Sequence, residues 1–293
     1  MDKKFTVLVI GMALGITQAV GQAKGKAIAA DPEHITYLTS PDPVAYAFQY
    51  SPPSTAYLNR FREMYGLDAV VAQETTDLGR ARALSLWVHN RLEHDGHKPF
   101  KSTDAFAILH AAMLGHPVQC VEYGLVLTTA FNSLGIPARP LYLKAHNVQT
   151  KGSAAGHALT EAWLPDLGKW VMVDSQWDII PLLSNRPLNA LELQQALAND
   201  EPTLSALTST DAKSKPYFRW LKQYLFYFDT VMDNRYGVRS ARTGLMLVPV
   251  GAHKPVLFQR AEAIHNMRYT HSAATFYSSP SGASWLTEGM AGK

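Results

Sequence analysis

The spacing of hydrophobic and polar residues divides the N-terminal two thirds of the chain into helical and extended segments. Apolar residues that recur three and four positions apart predict three helices, over residues 54–66, 76–93 and 102–115. Short runs rich in branched and aromatic residues predict three strands, over residues 137–144, 157–164 and 169–174. The turn signal Pro165-Asp-Leu-Gly168 predicts that the last two strands form an antiparallel hairpin.

A further helix is predicted to begin at Cys120. It ends at Gly135, because glycine is favoured at the position that follows a helix, and Pro137 prevents the helix from resuming. Gly124 and Ala130 are small enough to let a neighbouring element approach closely.

The C-terminal part is predicted to continue with both helices and strands. Asn189 and Glu192 are spaced to cap a helix that runs to about residue 199. The aromatic run at residues 217–232 predicts a helix packed in the core, and residues 243–250 and 255–259 predict a second hairpin.

The first residues have the pattern of a secretory signal. Lys3 and Lys4 precede an apolar run over residues 5–16, and small residues suitable for cleavage follow near position 23. A membrane span needs about 20 apolar residues, so we favour a removed signal over an uncleaved anchor. We therefore predict a signal peptide over residues 1–23 and export to the periplasm or beyond, with no stable membrane anchor after its removal.

Composition and charge limit the possible functions. Apolar residues make up 47% of the chain and aromatic ones 10%, enough for a substantial core. The net charge of +3 is too small to indicate binding to nucleic acid or to an anionic membrane. Since the chain has one cysteine, it has no internal disulfide, and an odd cysteine in an exported protein is an intermolecular link or a reactive thiol.

The position of Cys120 favours reactivity over packing. Unpaired N–H groups and the positive end of the helix dipole favour a thiolate, which is the nucleophilic form of cysteine. A cysteine nucleophile also needs a base and a group that orients that base. His157 begins one strand of the predicted hairpin and Asp174 ends the other, so we predict His157 as the base and Asp174 as its partner.

Two other carboxylates compete with Asp174 for that role. Glu161 shares a strand face with His157, but four residues of strand separate them by roughly 13 Å. Asp178 lies beyond the hairpin and is a reserve candidate.

The remaining site candidates would hold the substrate or its oxyanion. The backbone N–H of Cys120, at the helix start, is one predicted oxyanion donor. Gln119, Gln176 and a loop amide are open alternatives for the second, and Trp177 is a further substrate-binding candidate.

Other chemistries find no support in the sequence. His89, His94 and His97 lack the spacing of a helical zinc site, and we interpret them as a solvated helix end. The chain has no phosphate-binding glycine loop, no dinucleotide motif and no Gly-x-Ser-x-Gly turn. We therefore predict neither a metal nor a cofactor.

Several motifs in order resemble the transglutaminase-like superfamily. They are the Cys120 helix that ends in Leu134-Gly-Ile-Pro-Ala-Arg139, then His157-Ala158, Glu161-Ala-Trp163, and Lys169-Trp170-Val-Met-Val-Asp174 with Trp177 shortly after. The resemblance implies an α+β, papain-like core, with the nucleophile helix packed on an antiparallel sheet. It also implies Cys120 as nucleophile, His157 as base and Asp174 as orienting acid, with Arg139 and Glu161 structural. Val118 and Leu159 depart from the family pattern, which bears on substrate preference.

These observations predict four segments. Residues 1–23 are the signal, 24–74 a proline-rich leader and helix, 75–182 the catalytic core, and 183–293 a helical and β extension that packs on the core. We predict an exported thiol enzyme that acts on peptide bonds or Gln side chains of a protein or peptide, with hydrolysis favoured. A cross-linking transglutaminase, a binding protein that retains the fold, and a latent enzyme released by proteolysis remain open alternatives.

Overall fold

The computed structural model describes residues 35–95, 99–237, 243–280 and 283. The predicted signal peptide and His97 lie outside these residues. No helix within the described ranges is long and apolar enough to span a membrane.

Most helices lie in the first half of the described chain and most strands in the second half. The helices are α1 Ala56–Met64, α2 Leu67–Val71, α3 Asp77–His89, α4 Ala105–Met113, α5 Cys120–Ser133, α6 Ala190–Ala198, α7 Ser214–Leu221 and α8 Ala273–Phe276, with a 3₁₀ turn at Lys222–Tyr224. The strands are β1 Gln49–Tyr50, β2 Ala138–Lys144, β3 Gly156–Leu164, β4 Lys169–Val173, β5 Ile180–Leu183, β6 Arg186–Pro187, β7 Leu204–Leu207, β8 Tyr227–Val231, β9 Asp233–Asn234, β10 Gly244–Leu247, β11 Leu257–Phe258, β12 Glu262–Ala263 and β13 Met267–Thr270.

The main sheet has the strand order β13-β10-β8-β2-β3-β4. Adjacent strands in this sheet run antiparallel, except for β10 and β13, which run parallel. The predicted hairpin is present as β3 and β4, in a register that sets Trp163 opposite Trp170. The fold is therefore a mixed α+β arrangement around a largely antiparallel sheet.

Alternation along β4 shows how the two faces of the sheet are covered. Val171 and Val173 point into the core shared with α3, α4 and α5. Trp170 and Met172 point into the opposite core, which includes residues of α6 and α7. Side chains of a strand alternate between faces, so a single buried strand contributes to both cores.

Helix α5 lies very close to β3. A side chain at Gly124 would bring its Cβ to 3.0 Å from the carbonyl oxygen of Leu159, tighter than normal packing allows. Thr160 Oγ1 donates a hydrogen bond to the Gly124 carbonyl at 2.9 Å. The predicted role of Gly124 in close approach is confirmed, and the contact holds the N-terminal half of α5 against the middle of β3.

The predicted helix over residues 217–232 is wrong in its second half. Helix α7 ends at Leu221, and after the 3₁₀ turn the chain enters β8. Tyr227 and Phe228 bury their side chains in different cores, which is the period-two pattern of a strand. Pairing with β2 and β10 overrides the local helical pattern.

The predicted hairpin of residues 243–250 and 255–259 is also wrong. Strand β10 pairs with β8 and β13 in the main sheet. Strand β11 pairs instead with β12. Residues after position 183 thus supply three strands of the main sheet. The division of the chain into four segments at residues 23, 74 and 182 stays a prediction.

A fully buried ion pair joins β2 to β3. Arg139 donates to Glu161 Oε2 at 2.8 Å, and both side chains are inaccessible to solvent. The Arg139 guanidinium lies 4.3 Å from the Trp170 ring centre and 4.6 Å from that of Phe276. Glu161 also accepts the amide of Ala190 at the start of α6. These contacts make Arg139 and Glu161 structural residues.

Arg139→Met should lower the free energy of unfolding by about 3–5 kcal/mol, because it leaves the Glu161 carboxylate buried without its partner. Urea unfolding followed by tryptophan fluorescence measures the change. Arg62→Met is the matched control, since Arg62 and Asp68 form an exposed pair; its effect should stay within about 1 kcal/mol. Equal effects of the two variants would contradict the structural role.

Candidate active site

Cys120 is the first residue of α5 and is partly exposed. The Glu122 side chain reaches back along the helix and accepts the Gln119 N–H at 3.1 Å. This hydrogen bond caps the N-terminus of the helix at the residue before Cys120. The Cys120 side chain therefore sits at the positive end of a 14-residue helix.

His157 and Asp174 meet at the same end of the β3–β4 hairpin. His157 Nε2 lies 2.7 Å from Asp174 Oδ2, and both side chains are buried. Since Nε2 faces Asp174, Nδ1 is the nitrogen left for the Cys120 side chain, which is within hydrogen-bonding reach of His157. The structure thus brings the three predicted residues together.

The surroundings of His157 favour its charged form. Burial acts against the imidazolium, but the Asp174 carboxylate and its hydrogen bond, with a smaller contribution from Cys120, raise the pKa of His157 to about 10. An ordinary histidine has a pKa of about 6.5. At neutral pH the site accordingly holds an imidazolium beside the cysteine.

Asp174 is held by three donors. Besides His157, Tyr217 donates its hydroxyl to Oδ2 at 2.8 Å and the Gln176 N–H donates to Oδ1 at 3.1 Å. Burial first, and then the Asp174 charge, raise the pKa of Tyr217 well above its usual value, so Tyr217 remains a donor. The carboxylate is therefore satisfied on both oxygens and has one orientation.

Four aromatic residues, here called the aromatic cover, pack together on one side of the candidate site: Trp177, Tyr217, Trp220 and Tyr224. The Trp220 ring meets the His157 ring edge-on at 4.9 Å, and Trp177 packs on Trp220 at 5.3 Å. Burial and the proximity of Cys120 raise the pKa of Tyr224. Three members come from α7 and the 3₁₀ turn.

The sequence pattern predicts that this aromatic run packs in the core. It does not indicate that three of these residues lie at the candidate site. Tyr217, Trp220 and Tyr224 are spaced three and four residues apart, so one helical face presents all three. That spacing was the available signal. It could not say which part of the protein the face would cover.

The sequence interpretation of a solvated helix end fits His94, which is exposed, but not His89, which is half-buried. His89 ends α3, and its Nδ1 is 3.2 Å from the carbonyl oxygens of Ser175 and Gln176, next to Asp174. Burial first, and then the nearby His157, lower the pKa of His94. His89 therefore supports the loop after β4, and His94 borders the site.

The predicted oxyanion and substrate-binding residues have different environments. The backbone N–H of Gln119 is occupied by Glu122, so only its side chain remains a candidate. Gln176 Oε1 is buried without a hydrogen-bond partner among the described residues. Trp177 is 39% exposed within the aromatic cover. Their functions stay predictions.

The two rival carboxylates have structural roles. Glu161 is bound to Arg139, as described above. Asp178 accepts from Ser85 Oγ at 2.9 Å and from the Ser209 N–H at 2.7 Å, so it ties α3 to the segment before α7. Within the described residues, no three His, Cys, Asp or Glu side chains are clustered as metal ligands.

Asp174→Asn should lower the pKa of His157 from about 10 to near or below its ordinary value of about 6.5, because burial then acts without the opposing carboxylate. An NMR titration of the histidine rings, with the His157 signal assigned from His157→Ala, measures this change. Asp178→Asn is the control, since it removes a nearby buried carboxylate that does not contact His157. An unchanged His157 titration in Asp174→Asn would contradict the assigned pairing.

Part of the chain is similar to a known protein family. Residues 67–175, less than half of the chain, match the family model described as the transglutaminase-like superfamily. No curated protein matches the sequence. The solved structures to which the chain is similar include three at low identity.

A candidate cysteine protease from Cytophaga hutchinsonii is 16% identical with a TM-score of 0.33, and the match covers 54% of this chain and 50% of that one. A TGase is 18% identical with a TM-score of 0.31, covering 41% and 31%. Red sea bream transglutaminase is 15% identical with a TM-score of 0.33, covering 68% and 38%. The chain thus spans half or less of the length of these proteins. Residues 67–175 are thus similar to the transglutaminase-like superfamily.

Proposed function

We propose that this protein is a thiol enzyme that cleaves amide bonds of peptides or proteins through an acyl-enzyme on Cys120. The observation that carries the proposal is the pairing of the Cys120 side chain with a His157 imidazolium that Asp174 holds in place. A cysteine placed only for packing needs no such partner, because a buried thiol behaves as a small apolar group.

The proposed reaction begins with attack of the Cys120 thiolate on the substrate carbonyl carbon. His157 then transfers its Nδ1 proton to the departing amine as the C–N bond breaks, which leaves a thioester on Cys120. In the second half, His157 removes a proton from water, the hydroxide attacks the thioester, and the acid product leaves. The Cys120 thiolate and the His157 imidazolium are thereby restored.

The oxyanion formed in each half needs hydrogen-bond donors. We assign the first to the backbone N–H of Cys120, because the opening residues of a helix have N–H groups without intrahelical acceptors. The Gln119 side chain is the candidate for the second donor. Gln176 Oε1, which accepts rather than donates, is better suited to a substrate N–H.

We favour hydrolysis over transfer to an amine. Transfer requires a subsite that accepts the cationic side chain of lysine close to Cys120. The α7 segment that covers the site exposes Lys215, Arg219 and Lys222 and has no acidic residue between positions 212 and 228. Like charges repel, so this surface disfavours an approaching lysine.

We also propose that the protein acts outside the cytoplasm. The basis is the sequence pattern of residues 1–23. Detection of the N-terminus of the mature protein in a secreted or periplasmic fraction would test this location.

Unstructured peptides that contain Gln, incubated with the protein and a labelled primary amine, should show peptide cleavage or conversion of Gln to Glu by mass spectrometry. Incorporation of the amine as the main product would contradict the preference for hydrolysis. Cys120→Ala should abolish every product. Absence of any change that depends on Cys120 would favour the non-catalytic binding protein instead.

A further inference from the structure

A partly exposed aromatic surface lies close to His157 of the candidate site. Trp177 has 39% of its surface open to solvent, although most large apolar side chains of this fold are buried. Its ring packs against Trp220, and the Trp220 ring in turn contacts His157. The open face of Trp177 is therefore one aromatic ring away from the imidazole.

We propose that Trp177 and Trp220 form a subsite for an aromatic or large aliphatic side chain of the peptide substrate, next to the bond that Cys120 attacks. The proposal rests on the proposed function, and it names a preference that the function alone does not require. Burial of such a side chain against two indole rings gains both apolar contact and ring stacking.

The rings are held in place, as a specificity subsite requires. Tyr217 packs against both Trp177 and Trp220, at 5.8 and 5.9 Å, and Tyr224 packs against Trp220 at 5.4 Å. Tyr217 is itself fixed by its hydrogen bond to Asp174. The subsite is thus joined to the same carboxylate that contacts His157. The rings therefore have little conformational freedom to lose when a substrate binds.

Charge near the subsite favours a neutral occupant. Aromatic faces also attract cations, so a lysine or arginine side chain is the main rival. Arg219 and Lys222 flank Trp220 in sequence and are exposed. Their charge opposes a second cation at this surface, which leaves neutral aromatic and aliphatic side chains as the favoured class.

The subsite is built by two separate parts of the chain. Trp177 follows the segment matched by the superfamily model, and Trp220 lies on α7, well beyond it. Trp177 belongs to the motifs that resemble the superfamily, so the part of the subsite that lies well beyond the matched core is Trp220.

The test uses acetylated dipeptides that carry a cysteine-reactive vinyl sulfone, with Phe, Leu, Gly, Lys or Glu at either residue of the dipeptide. Mass spectrometry follows the rate of labelling of Cys120, and iodoacetamide provides a reference for its intrinsic reactivity. The Phe and Leu probes should react about tenfold faster than the Gly probe at one of the two positions. The Lys probe should be among the slowest.

Trp177→Ala should remove most of this preference when the rate of each probe is divided by the iodoacetamide rate of the same variant. Trp163→Ala is the matched control, because Trp163 lies six residues along β3 from His157, about 20 Å away, and packs on Trp170. It should retain the preference. The conservative Trp177→Phe should keep part of it.

Equal rates for all side chains at both positions, or a preference that survives Trp177→Ala, would overturn the subsite and leave the proposed function intact. A preference for the Lys probe would overturn the neutral class. If no probe labels Cys120 faster in the native protein than in His157→Ala, the result would instead count against the proposed function.

Discussion

The close contact between α5 and β3 is the constraint on which the candidate site depends. Cys120 opens the helix and His157 lies near the start of the strand, so the distance between them is set by how closely these two elements pack. Gly124 permits that approach and Thr160 fixes it with a hydrogen bond to the helix backbone. On the other face of the sheet, the buried Arg139–Glu161 pair holds β2 against β3. The geometry of the site is therefore a property of core packing rather than of a flexible loop.

Asp174 links this packing to the electrostatics of the site. Its carboxylate is buried, and it accepts hydrogen bonds from His157, Tyr217 and the Gln176 amide. Charges interact more strongly where water is excluded, and the aromatic cover provides that exclusion. The same cover contains Trp177, which is partly exposed and forms part of the proposed subsite. The proposed binding and proton transfer would thus depend on one set of contacts, to which α7 contributes as well as the segment matched by the family model.

The sequence predicted the part of the site that local patterns determine. A helix start, a strand start and the end of its hairpin partner are local features, and the hairpin turn alone sets Asp174 beside His157. The role of Tyr217 could not be predicted in this way, because it depends on a contact between residues 43 positions apart. Strand β8 was missed because its aromatic residues suit either a helix or a strand, and only pairing with β2 and β10 decides between them. The same holds for β10, whose partners are distant strands rather than its sequence neighbour.

The most direct test of the account is the rate of iodoacetamide alkylation of Cys120 as a function of pH, in the protein and in His157→Ala. Because the chain has a single cysteine, the reaction reports on one thiol. The account predicts that alkylation in the native protein stays fast at pH values well below about 8.5, the pKa of an ordinary thiol. In His157→Ala it should slow as the pH falls, as it does for an isolated thiol. The same pH profile in both proteins would show that His157 does not activate Cys120 and would contradict the catalytic assignment.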